Sequence, residues 1–153
     1  MKKNNLIIFL IFISTQIFSQ SVYVDNSLLS HNSIKFPTTN WVLNKAENLP
    51  LKKDSVDLLI ACEVLEHIES PEKFFLECSR IRVKYYIFSV PNEPLWRILN
   101  ICRFKYLRYL GNTPGHVNHW SKRGINKLVS HFLNVRKIFI TQPWIFILAE
   151  PKQ

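Results

Sequence analysis

Residues 56–62, VDLLIAC, form an unbroken apolar run between the polar loop ENLPLKKDS and the acid-rich stretch EVLEHIES. A run this short, with no polar alternation, fits a strand covered on both faces, as in a parallel sheet flanked by helices. That requirement excludes a simple hairpin protein and calls for crossover helices. The flanking sequence supplies them. Pro71 stands at a first helical position after Ser70, and Phe74, Phe75, Cys78 and Ile81 recur at helical spacing up to about Arg82. Residues 83–91, VKYYIFSVP, then read as another strand.

The same reading extends in both directions. Residues 21–25, SVYVD, and 40–46, NWVLNKA, read as strands. Residues 26–36 read as a short helix capped by Asn26 or Ser27 and stopped by Pro37. Residues 94–110, PLWRILNICRFKYLRYL, carry the pattern of one amphipathic basic-aromatic helix. Residues 111–120 form a loop, and Ser121 caps a helix over KRGINKLVSHFL. Two final runs, 135–141 and 144–150, are separated only by Gln142 and Pro143, too short for a crossover, so they form an antiparallel hairpin. The expected fold is α/β: a Rossmann-like, mainly parallel sheet with helices on both faces and a C-terminal antiparallel hairpin. With 153 residues there is enough chain for one core.

Charge divides the chain. Residues 1–79 hold 7 Lys/Arg against 9 Asp/Glu, whereas residues 80–137 hold 12 Lys/Arg against only Glu93. A solvated basic face accounts for this. Nucleic acid or acidic lipid are the alternative partners, although no RNA-stacking motif is present. Cys62, Cys78 and Cys102 are odd in number and contain no C-x-x-C, which argues against zinc and a disulfide framework alike and suits a reducing, cytoplasmic setting. The N-terminus points the other way. Two lysines, the apolar run 6–13 and then small and polar residues resemble a secretory signal. A buried strand or helix is the competing reading of that run.

In an open parallel sheet, ligands bind beyond the carboxyl ends of the strands. Asp25 ends the first such strand, Ala46 and Glu47 follow the second, and Cys62 and Glu63 follow the third. In that order, VYVDNS, AENLPLKKDSVDLLIACEVLEHI and YYIFSVPNE resemble the class I S-adenosylmethionine-dependent methyltransferases of the small-molecule, type 11 kind. The resemblance covers about residues 21–150, and GHVNHWSKRGINKLV with the closing hairpin fits its C-terminal part. It implies S-adenosyl-L-methionine as cofactor and a small-molecule acceptor as partner. It also implies cofactor contacts from Asp25 and neighbouring Asn26 at the ribose, from Ala46 and Glu47 at the adenine, and from Cys62 and Glu63 at the methionine part. Asp57 would seat the strand beneath the site.

Two departures stand out. No glycine precedes Gly111, whereas the family opens with a strand and a Gly-rich loop that lets backbone approach the cofactor. Residues 6–13 lie only eight residues before VYVD, too close for a parallel crossover to it, so the expectation is an N-terminally truncated domain. Residues 1–20 would be a signal-like or replaced segment, and residues 21–153 a partial methyltransferase domain. The alternative is an inactive remnant or a non-enzymatic binding module. Lys45 is the second departure, standing where many members carry an acid toward the adenine.

The pattern E-x-x-E-H at Glu63, Glu66 and His67 remains. If the segment turns helically, the three share a face. They could be solvated helix-start residues or position a substrate. His67 could be a catalytic general base. A divalent metal such as magnesium or zinc is a further candidate for Glu63, Glu66 and His67, as in the similar quinone-biosynthesis O-methyltransferases. His116 and His119 could also reach this pocket, and Trp96, Phe104, Tyr106 and Tyr109 could hold an apolar or aromatic acceptor.

Overall fold

The computed structural model describes residues 8–10 and 46–153. The strand expected over 21–25, that over 40–46 up to its last residue, the helix over 26–36, and the positions of Asp25, Asn26 and Lys45 lie outside the described residues, and Ala46 is in a turn. The elements are β1 (Ile8–Leu10), β2 (Leu58–Cys62), α1 (Pro71–Ile81), β3 (Tyr85–Pro91), α2 (Leu95–Cys102), a 3-10 turn (Leu107–Tyr109), α3 (Lys122–Phe132), β4 (Leu133–Thr141) and β5 (Trp144–Pro151). They build a five-stranded sheet in the order β1-β2-β3-β5-β4. Strands β1, β2 and β3 are mutually parallel, and β5 runs antiparallel to both β3 and β4.

One face of this sheet is sealed. Leu59 and Ala61 of β2 lie beside Tyr86 and Phe88 of β3, which lie beside Ala149 and Ile147 of β5, and all six are buried. Their side chains share a face because strand residues alternate sides and the registers bring like-facing positions together. Helices α1 and α3 cover that face. Phe75 of α1 sits edge-on to Phe88 at 5.2 Å between ring centres and stacks on Phe132 of α3 at 5.9 Å. Leu58, Ile60 and Ile87, on the opposite face, are half-buried. Strand β2 is thus interior to the sheet, between β1 and β3, with one face sealed and the other half-buried rather than both covered.

Two polar devices fix how α1 meets the sheet. The buried Tyr86 hydroxyl donates to the Cys78 carbonyl at 2.6 Å and accepts from the Val83 N–H at 2.8 Å, satisfying the end of α1 and its turn into β3. Arg80 donates to the carbonyls of Leu49 and Leu51 while pairing with Glu77, whose carboxylate also accepts from the Leu49 N–H. The segment after Ala46 is thereby pinned against α1.

Of the readings of the run 6–13, the strand is met at Ile8–Leu10, which pairs in parallel with Leu58–Ile60. One expectation is corrected. The helix expected over 94–110 stops at Cys102. Asn100 is buried there, its amide donating to the Gly111 carbonyl at 2.9 Å, and its own carbonyl collects the N–H groups of Arg103 and Lys105. Phe104, Tyr106 and Leu110 then take positive φ. Ser121 caps α3 as expected, accepting from Gly124 N–H at 3.1 Å, and the hairpin turns through Gln142 and Pro143.

Because Phe75 touches α3 and the sheet at once, Phe75→Ala should cost about 3–5 kcal/mol of unfolding free energy. Urea denaturation followed by circular dichroism measures it, and a loss below about 1 kcal/mol would mean that this face is not the core.

Candidate active site

Beyond the carboxyl end of β2 the chain does not enter a helix. Glu63 takes φ +57°, and residues 64–67 make a single turn closed by the His67 N–H to the Val64 carbonyl at 3.0 Å. The positive φ at Glu63 breaks the helical spacing that would have put all three E-x-x-E-H side chains on one face. Glu63 faces β3, where its carboxylate accepts from the Ser89 hydroxyl at 3.1 Å. Burial raises its pKa, opposed by bonds from Trp144 and Ser89. Glu66 turns inward.

Glu66 is 1% exposed, so the solvated helix-start reading of it is overturned. Neither of its side-chain oxygens has a hydrogen-bond partner among the described residues. Burial, reinforced by the Glu63 carboxyl, raises its pKa to about 9. His67 approaches it, Nε2 lying 3.9 Å from Glu66 Oε1. That distance is too long for a hydrogen bond. With Glu66 protonated and the His67 pKa lowered by burial, the contact is between neutral groups rather than an ion pair.

The other wall comes from the loop after α2. Val117 and Asn118 N–H groups both donate to the Glu66 carbonyl, at 2.8 and 3.0 Å, and the Asn118 amide donates to the carbonyls of Leu65 and Ile68. The Gly115 carbonyl lies 2.9 Å from His67 Nδ1. Gly115 holds φ +88°, a conformation that suits glycine. This brings His116, 8% exposed, edge-on to His67 with ring centres 4.8 Å apart. Burial, with His67 and His119 adding repulsion, depresses the His116 pKa to about 4. Trp96 lies roughly parallel to His116 with ring centres 6.3 Å apart, and it donates to Thr113 Oγ1.

Glu66, His67 and His116 each offer a donor atom within 4.8 Å of the others. Glu63 is outside that group. His119 points elsewhere, its Nε2 2.8 Å from Asn112 Oδ1. Of the aromatic residues expected at an acceptor pocket, Trp96 is at the site, whereas Phe104 is 84% exposed and Tyr109 is also exposed. Ala46 is buried, and Glu47 and Cys62 are half-buried. Asp57 accepts the Tyr85 N–H through its carbonyl, linking the starts of β2 and β3. Of the two loop histidines expected to reach this pocket, His116 joins His67 and Glu66, and His119 pairs with Asn112 instead.

A family model described as a methyltransferase domain matches residues 12–84. No curated protein matches the chain. Several solved structures share the fold. An S-adenosylmethionine-dependent methyltransferase from Thermotoga maritima superposes with TM-score 0.52 at 19% identity, covering 71% of this chain and 62% of that one. One from Aquifex aeolicus gives 0.61 at 16% identity, covering 81% and 61%. Magnesium protoporphyrin IX methyltransferase from Synechocystis, solved with bound S-adenosylhomocysteine, gives 0.60 at 12% identity, covering 82% and 59%. The chain therefore spans less than two thirds of the length of each of these three. Among the described residues, no helix is long and apolar enough to cross a membrane.

The two buried side chains give opposite pH dependences. Glu66 binds its proton more tightly folded than unfolded, so its contribution is complete below pH 4.5 and is lost as pH rises toward 9. His116 binds it less tightly folded, so its contribution is complete above pH 6.5 and is lost as pH falls toward 4. Between 4.5 and 6.5 they offset each other. From there to pH 9 Glu66 acts alone, with a slope of up to about −1.4 kcal/mol per pH unit. With chelator present, thermal unfolding should show stability falling across that range, and Glu66→Gln should flatten it. An unchanged slope in the variant would refute the assignment.

Proposed function

We propose, from the type 11 methyltransferase match over residues 12–84 and the sheet it shares with class I S-adenosylmethionine-dependent methyltransferases, that this chain catalyses methyl transfer to a small-molecule acceptor. The match and the neighbours indicate S-adenosyl-L-methionine as the cofactor. When bound, that cofactor supplies an electrophilic methyl group on a sulfonium.

The observation that carries the reading is the carboxyl end of β2. Glu63 holds a half-buried carboxyl that burial has made costly to ionise, and an adjacent cation would relieve that cost. The methionine part of the cofactor offers such cations, so the donor chemistry at Cys62 and Glu63 fits it. Ala46 and Glu47, pinned beside α1, would border the adenine, and Asp25 with Asn26 would take the ribose. What the chain contributes is alignment and exclusion of water. His67 is suited to the one proton-moving role. Because the Gly115 oxygen can only accept, His67 Nδ1 carries the hydrogen and Nε2 keeps its lone pair, and burial keeps the ring neutral. Trp96, beside His116 and 5.9 Å from the Trp144 ring, would offer an apolar wall to the acceptor. Three free cysteines and the need for this cofactor support a cytoplasmic chain.

A second reading is favoured by one sequence fact. No glycine precedes Gly111, so no Cβ-free backbone is offered to the cofactor before that point, which would weaken its binding and suit an inactive remnant or a binding module. Calorimetric titration with S-adenosylhomocysteine separates the two. Saturable binding in the micromolar range, weakened in Glu63→Ala, is expected for the enzyme. Absence of binding at millimolar ligand would leave the remnant.

A further inference from the structure

A buried carboxyl without a donor is costly, and native proteins seldom leave one so. Glu66 is such a group: its two oxygens are sealed from solvent and unpartnered among the described residues. The side chains brought to face it, His67 and His116, are both imidazoles. The Gly115 carbonyl fixes the tautomer of His67, placing the hydrogen on Nδ1 and the lone pair on Nε2, the nitrogen nearest Glu66. Metal-bound histidines make this same outer contact, donating the second ring N–H to a backbone carbonyl.

We propose that Glu66, His67 and His116 form a binding site for one divalent ion of the zinc class, with a fourth position open to water or a ligand. The donor set selects the ion. Two neutral imidazoles and one carboxylate form a borderline set, whereas magnesium and calcium take mainly oxygen. Two histidines and a glutamate with one open position is a recurrent zinc arrangement.

Tetrahedral bonds of about 2.1 Å set two donors on one ion about 3.4 Å apart, so donors now within 4.8 Å must draw in by up to about 1.4 Å. Rotations of the two rings and of the Glu66 carboxyl would supply this. Glu63, a candidate from sequence spacing, does not join, because its positive φ and its bond with Ser89 turn it toward β3. His116, from a loop some fifty residues later, takes its place.

The test uses the full chain, stripped with chelator and titrated with zinc ion against a chromophoric chelator, then with cobalt(II) followed by visible absorption. One equivalent of zinc per chain, a raised melting temperature and the intense bands of low-coordinate cobalt are expected. His116→Ala and Glu66→Gln should each weaken binding by about 100-fold or more, while Glu63→Gln, which removes a neighbouring carboxyl but no ligand, should not weaken it. Circular dichroism checks that each variant folds. His116→Cys gives a readout by gain, since a thiolate on cobalt adds a near-ultraviolet charge-transfer band. No stoichiometric binding by the unaltered chain, undiminished binding in a folded His116→Ala, or no thiolate band in His116→Cys overturns the site. None of these measurements involves S-adenosylmethionine, so failure of the metal site leaves the methyltransferase reading standing, whereas an occupied site would engage His67 Nε2 and take the proton-moving role from that residue.

Discussion

The turn after β2 is held from outside. Glu63 is tied to Ser89, residues 64–68 contain one hydrogen bond of their own, and the loop 115–118 supplies the others: two backbone N–H groups to Glu66, one side-chain amide shared by Leu65 and Ile68, and a carbonyl to His67. Without that clamp three buried carbonyls would lose their donors, each at about 1–3 kcal/mol. The position of every polar group at the site follows from it. Asn118 is the fulcrum, because its amide reaches two carbonyls that no backbone group serves, and Gly115 is the hinge that aims its carbonyl at His67.

The clamp works because what lies beneath it cannot yield. Leu59, Ala61, Phe88 and Val90 fill the sheet face directly below the turn, and Phe74 and Phe75 close over them. Interiors this dense transmit position faithfully. The loop side is anchored with comparable care. Asn100 binds the Gly111 carbonyl and Thr113 at one end, and Ser121 caps α3 at the other, so the span between them has both ends fixed. Two segments distant in sequence thus face each other across a gap only as wide as two imidazole rings.

Much of this architecture is legible in the sequence because it depends on periodicity. The interior strand, the Pro-started helix, the Ser121 cap and the two-residue hairpin are all local patterns with a local cause. The failures have tertiary causes. The pattern over 94–110 is amphipathic throughout, and only the burial of Asn100 reveals that its polar side chain draws the backbone out of the helix. Ile8–Leu10 lie in a run that local pattern leaves open between strand, helix and signal, and they pair with β2 much later in the chain. The burial of Glu66 was hidden because acids at a helix start are ordinary, and nothing in E-x-x-E-H announces that Glu63 will take a positive φ.

That single backbone angle divides the motif. In a continuous helix Glu63, Glu66 and His67 would converge, and two carboxylates at close range would either share a proton or require a strong cation. At φ +57° the first carboxyl swings to the β3 side, where a hydroxyl meets it, and the second drops behind the turn toward two imidazoles. One five-residue pattern therefore serves two environments. Glu63 lies on the rim above the sheet, where a cationic ligand would relieve its burial. Glu66 is withdrawn among groups that are neutral near neutral pH. The Coulombic coupling between the two carboxyls persists, since Glu63 still raises the pKa of Glu66. A cation held at either position would then ease ionisation at the other, and that electrostatic link needs no movement of the chain.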